Sequence, residues 1–195
     1  MKTTNIMIVG VGGQGTLLAS KLLGYVLLHR GYDVKVSEVH GMSQRGGSVV
    51  TYVRYGEKVY SPVIDKGEAD LILSFEQLEA ARWLEYLKPD GQIITNIQKM
   101  DPMPVITGAA EYPDRLIEKM RAAGARVDAE DFLALAMEAG SSKAVNIALL
   151  GRLSTYFPDI PEEDWQNAIV ANVPPKFLEL NRKAFALGRA AGDAN

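Results

Sequence analysis

The stretch GVGGQG at residues 10–15 decides the fold of this chain because of what stands on either side of it. The apolar run IMIV (6–9) precedes it, and TLLASKLLGYVLL (16–28) follows it with apolar residues at helical spacing. A short apolar run that ends in glycine is typical of a strand buried in a parallel sheet. The stretch therefore predicts a strand, a tight turn and a helix whose free N-terminal amides can face an anion.

Three interpretations of this loop stay open on the pattern alone. Gly10, Gly12 and Gly15 have the G-x-G-x-x-G spacing of dinucleotide sites, and Glu38 stands near the place of the acid that binds a ribose hydroxyl. The doubled Gly12-Gly13 also resembles the ATP loop of adenylating relatives of the ubiquitin-activating enzymes, but the zinc-binding cysteine pairs common there are absent. The third interpretation is a sharp, anion-friendly turn that holds no cofactor tightly.

Strands and helices alternate along the rest of the chain, which predicts an α/β fold with a Rossmann-like open, mainly parallel sheet flanked by helices. We expect one domain over residues 1–195, with a more helical C-terminal third. Gly151, inside the helix predicted at 143–157, indicates either close packing or a tolerated defect. The predicted strands are 5–10, 33–39, 49–56, a hairpin or edge strand at 57–64, 69–75, 92–97, a short strand in the proline-rich loop 99–113, and 125–129. The predicted helices are 14–30, 76–87 with a turn at 88–91, 115–124, 130–140, 143–157, 161–173 and 174–192.

Composition excludes several classes of function. The net charge of −3 gives no basic field for nucleic acid or an anionic membrane, and no apolar stretch is long enough to span a bilayer. The first residues show no signal-peptide pattern, so we expect a cytoplasmic protein. The chain has no cysteine and only two histidines, which disfavours iron–sulfur clusters and the common zinc sites.

A second polar loop, HGMSQRGGS at 40–48, changes the interpretation of the first. Together, GVGGQGTLLASKLL and SEVHGMSQRGGSVVTYVRYG closely resemble the gamma-type domain of the 2-oxoacid:ferredoxin oxidoreductases. The HGMSQRGGSV form is similar to that of the indolepyruvate branch of the family. The resemblance extends over nearly the whole chain and includes DKGEADLILSFEQLEAAR and LKPDGQIITN.

The resemblance implies a non-catalytic subunit of a complex that oxidatively decarboxylates aryl pyruvates with coenzyme A and ferredoxin. In the family a large subunit carries thiamine diphosphate, magnesium and the iron–sulfur clusters, and coenzyme A is a co-substrate. This chain would then bind no cofactor tightly and be inactive alone. Its expected partners are the large subunit and, indirectly, ferredoxin, with a possible homodimer when it is alone, but no nucleic acid or membrane.

The two glycine loops are the candidate binding site, because both follow strands that should end at the same edge of the sheet. We expect the amides of residues 12–15 and the cation Arg45 to meet the phosphates of coenzyme A or the large subunit. His40 is either a proton carrier or, as is more common, a hydrogen-bonding or interface residue. No catalytic or metal-binding residue is predicted. The predicted binding residues are Gly10, Gly12, Gly13, Gln14, Gly15, Ser43, Gln44, Arg45, Gly46 and Gly47.

Two functions of other classes remain as alternatives. One is a free-standing NAD-binding oxidoreductase that uses the first loop and Glu38. The other is a structural dimerisation module whose glycine loops bind nothing.

Overall fold

In the part of the chain that the structure describes, six strands form one mixed sheet in the order β2-β3-β1-β4-β5-β6. The computed structural model describes residues 3–40 and 46–192, apart from the side chain of His40. β1, β4, β5 and β6 run parallel, whereas β3 pairs antiparallel with both β1 and β2. The prediction of a mainly parallel open sheet is therefore confirmed. The strands are β1 (Thr4–Val11), β2 (Asp33–His40), β3 (Ser48–Gly56), β4 (Ala69–Ser74), β5 (Leu87–Asn96) and β6 (Arg126–Glu130).

Helices cover both faces of the sheet, and four of them follow the last strand, as the prediction of a helical C-terminal third requires. Within the described residues no helix combines the length and the hydropathy needed to cross a bilayer. The helices are α1 (Thr16–His29), α2 (Gln77–Arg82), α3 (Met103–Ile106), α4 (Leu116–Ala122), α5 (Phe132–Ala139), α6 (Val145–Ser154), α7 (Glu162–Asn172) and α8 (Leu178–Ala190).

Alternate residues of β1 pack into different cores, as the two-residue period of a strand requires. Ile6 and Ile8 lie in a large core with α1 and α5–α8, whereas Met7 and Val9 lie in a smaller core with α2 and α4. The apolar run IMIV is therefore buried on both faces.

The predicted strand at 57–64 is wrong. The structure has no strand there, although Val59 and Ile64 are buried and produced the strand-like pattern. Side chains take the place of a β-ladder: the Val59 amide donates to Asp33 Oδ2 at 2.9 Å, and Arg54 Nη1 donates to the carbonyl oxygens of Ser61 and Val63 at 3.0 and 2.8 Å. These contacts satisfy the backbone without a neighbouring strand.

Three further predictions need correction. The helix predicted at 76–87 ends at Arg82, and the predicted turn at 88–91 is an irregular part of β5, where the register with β4 shifts. Gly91 permits this path because a Cβ there would lie 3.0 Å from the Ala69 carbonyl oxygen. The proline-rich loop contains no strand but the short helix α3, which begins directly after Pro102, where the fixed proline φ suits a helix start.

Candidate functional site

The two glycine loops meet at the carboxyl ends of β1 and β2, as predicted. The Gly12 amide donates to the Gly47 carbonyl oxygen at 2.9 Å, which joins the first loop to the end of the second. Gly46 and Gly47 are described, whereas the predicted site residues Ser43, Gln44 and Arg45 lie outside the described residues. β2 ends at His40, of whose side chain nothing is described.

Gln14 supports the loop from within. Its Oε1 accepts the Val11 amide at 2.7 Å, and its Nε2 donates to the Phe75 carbonyl oxygen at 3.2 Å. Gly10 leaves the room for this side chain, since a Cβ at position 10 would lie 2.9 Å from Gln14 Oε1. The structure thus gives Gln14 and Gly10 a role in shaping the turn.

Only part of the predicted row of amides is free to bind an anion. The Gly12 amide is bonded to Gly47 and the Gln14 amide to the Val11 carbonyl oxygen, whereas those of Gly13, Gly15 and Thr16 find no acceptor among the described residues. Gly15 precedes α1 with φ 87°, a conformation that favours glycine, and no side chain caps the helix. The anion-binding potential therefore rests on Gly13, Gly15 and Thr16.

A cleft of about 570 Å³ opens beside this loop and extends to the start of α6. Asn146 is buried there, and its Nδ2 would lie 2.6 Å from a Cβ at Gly15, so a side chain at position 15 would collide with it. Lys143 is exposed at the rim and forms no ion pair with any described residue. We call this space the glycine-loop cleft, and it is lined by Gly12, Gly13, Gln14, Gly15, Gln98, Met100, Leu133, Ser142, Lys143, Val145 and Asn146.

The contribution of α6 was missed in the sequence because Lys143 and Asn146 stand about 130 residues after the first loop. The only local signal was the turn at SSK directly before α6, where Ser141 Oγ accepts the Lys143 amide at 3.2 Å. The sheet brings the start of this helix to the same cleft as the start of α1, so two helix N-termini and one lysine favour negative charge there.

Two smaller hollows adjoin the loop region. An apolar pocket of about 420 Å³ shares Lys143 and Asn146 with the glycine-loop cleft and is otherwise lined mainly by residues of α8 and the turns beside it. On the other side, a shallow cleft of about 390 Å³ reaches from Gly13 to Glu38. Glu38 Oε2 is buried there and has no hydrogen-bond partner among the described residues.

The strand order separates Glu38 from the place of a ribose-binding acid. In dinucleotide-binding sheets the second strand lies next to the first, but here the antiparallel β3 lies between β1 and β2. Glu38 is therefore one strand further from the glycine turn than that site requires. In the described part of the chain no three His, Asp or Glu side chains converge in a way that could hold a metal ion.

Comparisons with known proteins connect these features to one family. The family model described as pyruvate ferredoxin/flavodoxin oxidoreductase matches residues 5–191. Indolepyruvate oxidoreductase subunit IorB of Thermococcus kodakarensis is 47% identical, with 96% of this chain and 95% of the relative covered. The 2-oxoglutarate synthase subunit KorC of Methanothermobacter marburgensis is 27% identical, with 94% of each chain covered.

Solved structures share the fold. The chain superposes on pyruvate oxidoreductase subunit PORC of Thermotoga maritima with a TM-score of 0.74 and 19% identity, over 96% of each chain. It also matches a 2-oxoglutarate:ferredoxin oxidoreductase from Magnetococcus marinus, solved with 2-oxoglutarate, coenzyme A and succinyl-CoA bound. That match has a TM-score of 0.74 and 21% identity, and covers 97% of this chain but 31% of the larger one.

Proposed function

This chain belongs to the pyruvate ferredoxin/flavodoxin oxidoreductase family, and we propose that it is the small, gamma-type subunit of an indolepyruvate ferredoxin oxidoreductase. The observation that carries the proposal is the 47% identity to an indolepyruvate oxidoreductase subunit over 96% of the chain. A further relative from Pyrococcus horikoshii with the same name is 46% identical over the same share. The chain is a subunit of an oxidoreductase complex.

The complex would oxidise an aryl pyruvate and conserve the acyl group as a thioester. The bond between the carboxylate and the keto carbon breaks to release carbon dioxide. The S–H bond of coenzyme A also breaks, its sulfur bonds to the keto carbon and its proton passes to solvent, while two electrons pass to oxidised ferredoxin. Thiamine diphosphate, magnesium and iron–sulfur clusters, which the resemblance assigns to the large subunit, would supply the carbanion chemistry and the electron path. A chain without cysteine fits this division of labour.

The part proposed for this chain is to bind the phosphates of coenzyme A at the glycine-loop cleft. The amides of Gly13 and Gly15, which line this cleft, find no acceptor among the described residues, and Lys143 contributes a positive charge at the rim. Arg45, within the second glycine loop, is proposed as a second cation. Such donors suit an anion because phosphate oxygens accept several charge-assisted hydrogen bonds at once.

The hollow next to this cleft suits the rest of such a ligand. Coenzyme A joins its phosphates to a long arm with little charge, and the apolar pocket of about 420 Å³ begins where the cleft ends, at Lys143 and Asn146. A ligand with one charged and one weakly polar part would use both spaces.

The proposed partner is the large subunit, which would pass electrons on to ferredoxin. An exposed apolar groove along α1 and the edge strand β2 supports a protein partner, since Leu17, Leu28 and Val36 are each about half or more exposed there. A chain purified without its partner could self-associate through the same surface. The comparisons give no support to a free-standing NAD-dependent enzyme, and the position of β3 weighs against it.

The first prediction tests the function directly. The chain co-purified with its large subunit should reduce ferredoxin in the presence of indolepyruvate and coenzyme A, whereas the chain alone should not. Lys143→Ala and Arg45→Ala should each raise the KM for coenzyme A about tenfold, because each loses a charge-assisted contact to phosphate.

Lys66→Ala is the matched control, because Lys66 pairs with Glu85 near the amino ends of β4 and β5, away from the glycine loops. This substitution should leave the KM for coenzyme A unchanged. The site would be refuted if the two site variants kept both the wild-type KM and wild-type assembly. A thermal-shift response of the purified chain to NAD, and none to coenzyme A, would contradict the function itself.

A further inference from the structure

The segment Phe75–Glu79, which follows β4 and begins α2, carries two buried carboxylates outside the proposed ligand site. Glu76 is 1% exposed and Glu79 is 3% exposed. Buried carboxylates are costly unless they accept hydrogen bonds, so their partners indicate what they are for. We refer to these five residues as the 75–79 segment.

The hydrogen-bond partners of the Glu76 carboxylate come from α2 and from the proline-rich loop. Its Oε2 accepts the amides of Leu78 and Glu79 at 2.7 and 2.9 Å and so caps α2. Its Oε1 accepts the Met100 amide at 3.2 Å and the hydroxyl of Tyr112. The far wall of the glycine-loop cleft, which includes Met100, is thereby attached to the 75–79 segment.

Glu79 makes a different connection. The Ser48 hydroxyl donates to Glu79 Oε2 at 2.5 Å, and Ser48 is both the last residue of the second glycine loop and the first residue of β3. The residue before it, Gly47, accepts the Gly12 amide. A continuous set of contacts therefore runs from Glu79 through Ser48 and Gly47 to the first glycine loop.

Helix stability does not explain the burial of Glu79. α2 already has its N-terminal cap in Glu76, and the ion pair of Glu79 with Arg82, at 3.4 Å, joins residues of the same short helix. Trp83, directly after α2, also lies beside the carboxylate, and the contact that reaches a strand is the one to Ser48. The hydrogen bond from Ser48, at the junction of the two glycine loops, therefore offsets part of the free-energy cost of burying the Glu79 carboxylate.

We propose that Glu79 is a positioning residue that holds the two glycine loops in register through Ser48, and thereby sets the affinity of the glycine-loop cleft for coenzyme A. The second half of this inference rests on the proposed function, whereas the first half does not. This contact requires a hydrogen-bond acceptor at position 79 and a hydroxyl donor at position 48. A neutral acceptor at position 79 should therefore serve nearly as well as the carboxylate.

The test compares substitutions that keep or remove the acceptor at nearly constant volume. In the complex, Glu79→Met should raise the KM for coenzyme A about tenfold, as expected for the loss of one positioning hydrogen bond, with little change in kcat. Glu79→Gln should stay within about twofold of wild type. Ser48→Ala should behave as Glu79→Met does, and Ser48→Thr should restore the wild-type value. Glu85→Gln, on the exposed turn after α2, is the control.

Amide hydrogen exchange in the purified chain gives a measurement that does not depend on coenzyme A. The peptide that contains residues 10–15 should exchange faster in Glu79→Met and Ser48→Ala than in Glu79→Gln and Ser48→Thr. Equal exchange in all four variants, or equal effects of Gln and Met, would overturn the positioning role. Faster exchange with an unchanged KM would support the positioning role and instead reject the proposed location of coenzyme A.

Discussion

Gln14 shows that a residue in a binding motif can also hold the motif itself in shape. From the sequence it was a predicted ligand-binding residue, but both ends of its amide bond the protein itself, at Val11 and Phe75. Glycine at position 10 is required for this arrangement. The sequence indicates that the turn exists, and the contacts of Gln14 explain why the turn keeps its shape.

Glu79 gives the second prediction at this scale, which concerns pH. Burial raises the pKa of the Glu79 carboxyl and Glu76 acts in the same direction, whereas the Ser48 hydroxyl, the Arg82 guanidinium and the Trp83 indole oppose the shift in part. The strands and α4 that pack on α2 contribute apolar side chains there, among them Ile72 and Met120. The folded state therefore binds the proton more tightly than the unfolded chain.

It follows that the free energy of unfolding contributed by Glu79 is highest at low pH and falls as the pH rises from the ordinary glutamate value through the raised one. The difference in unfolding free energy between wild type and Glu79→Gln should therefore shift against wild type as the pH rises above about 4.3, the ordinary glutamate value. Urea denaturation of both proteins across this range measures it, at about 1.4 kcal/mol for each pH unit by which the pKa is raised. If the difference in unfolding free energy did not change with pH, the raised pKa of Glu79 would be contradicted.

At the scale of elements, the contact between α6 and α8 decides between the two interpretations of Gly151. A Cβ at Gly151 would lie 2.1 Å from the Phe185 carbonyl oxygen, and one at Gly188 would lie 1.8 Å from that of Ala148. The two glycines let the helix backbones touch, so the close-packing interpretation is confirmed. Nothing in the sequence of α6 indicated that α8 was the partner.

Gly151→Ala and Gly188→Ala should each destabilise the chain by about 3 kcal/mol, because a buried methyl group forces the helices apart. Gly24→Ala in α1 is the matched control, because a Cβ at that helical position would meet no atom within 4 Å. It should stabilise the chain by about 0.5–1 kcal/mol through helix propensity. Urea denaturation followed by circular dichroism measures all three. Wild-type stability in either packing variant would contradict the backbone contact.

At the scale of the whole molecule, the sheet separates two apolar cores that share the same strands. Trp165 is fully buried in the core with α1 and α5–α8, and Trp83 packs against the core with α2 and α4. Both cores include residues of β1, so neither can lose its structure without disturbing the other. We therefore expect the chain to behave as the single domain predicted from its sequence.

Single-tryptophan variants test this expectation. Trp83→Phe reports on the large core through Trp165, and Trp165→Phe reports on the small core through Trp83. In each variant the fluorescence transition in urea should coincide with the circular dichroism transition of the same protein. Separate transitions within either variant would show that the two faces unfold independently.

By itself, the sequence determined the class of fold, most strands, the two loops at one edge of the sheet and the family. These features depend on local patterns: apolar runs such as IMIV, glycines at fixed spacing, and polar loops that match a family. The strand wrongly expected at 57–64 also followed a local pattern, but Arg54 and Asp33 satisfied the backbone there from elsewhere.

Only the tertiary structure decided which groups meet. It placed β3 between β1 and β2, which moved Glu38 away from the glycine turn. It brought Lys143 and Asn146 to the cleft from the far end of the chain, and it connected Glu79 to Ser48. Such contacts join residues that are distant in sequence and depend on strand order and helix packing, which no local spacing encodes.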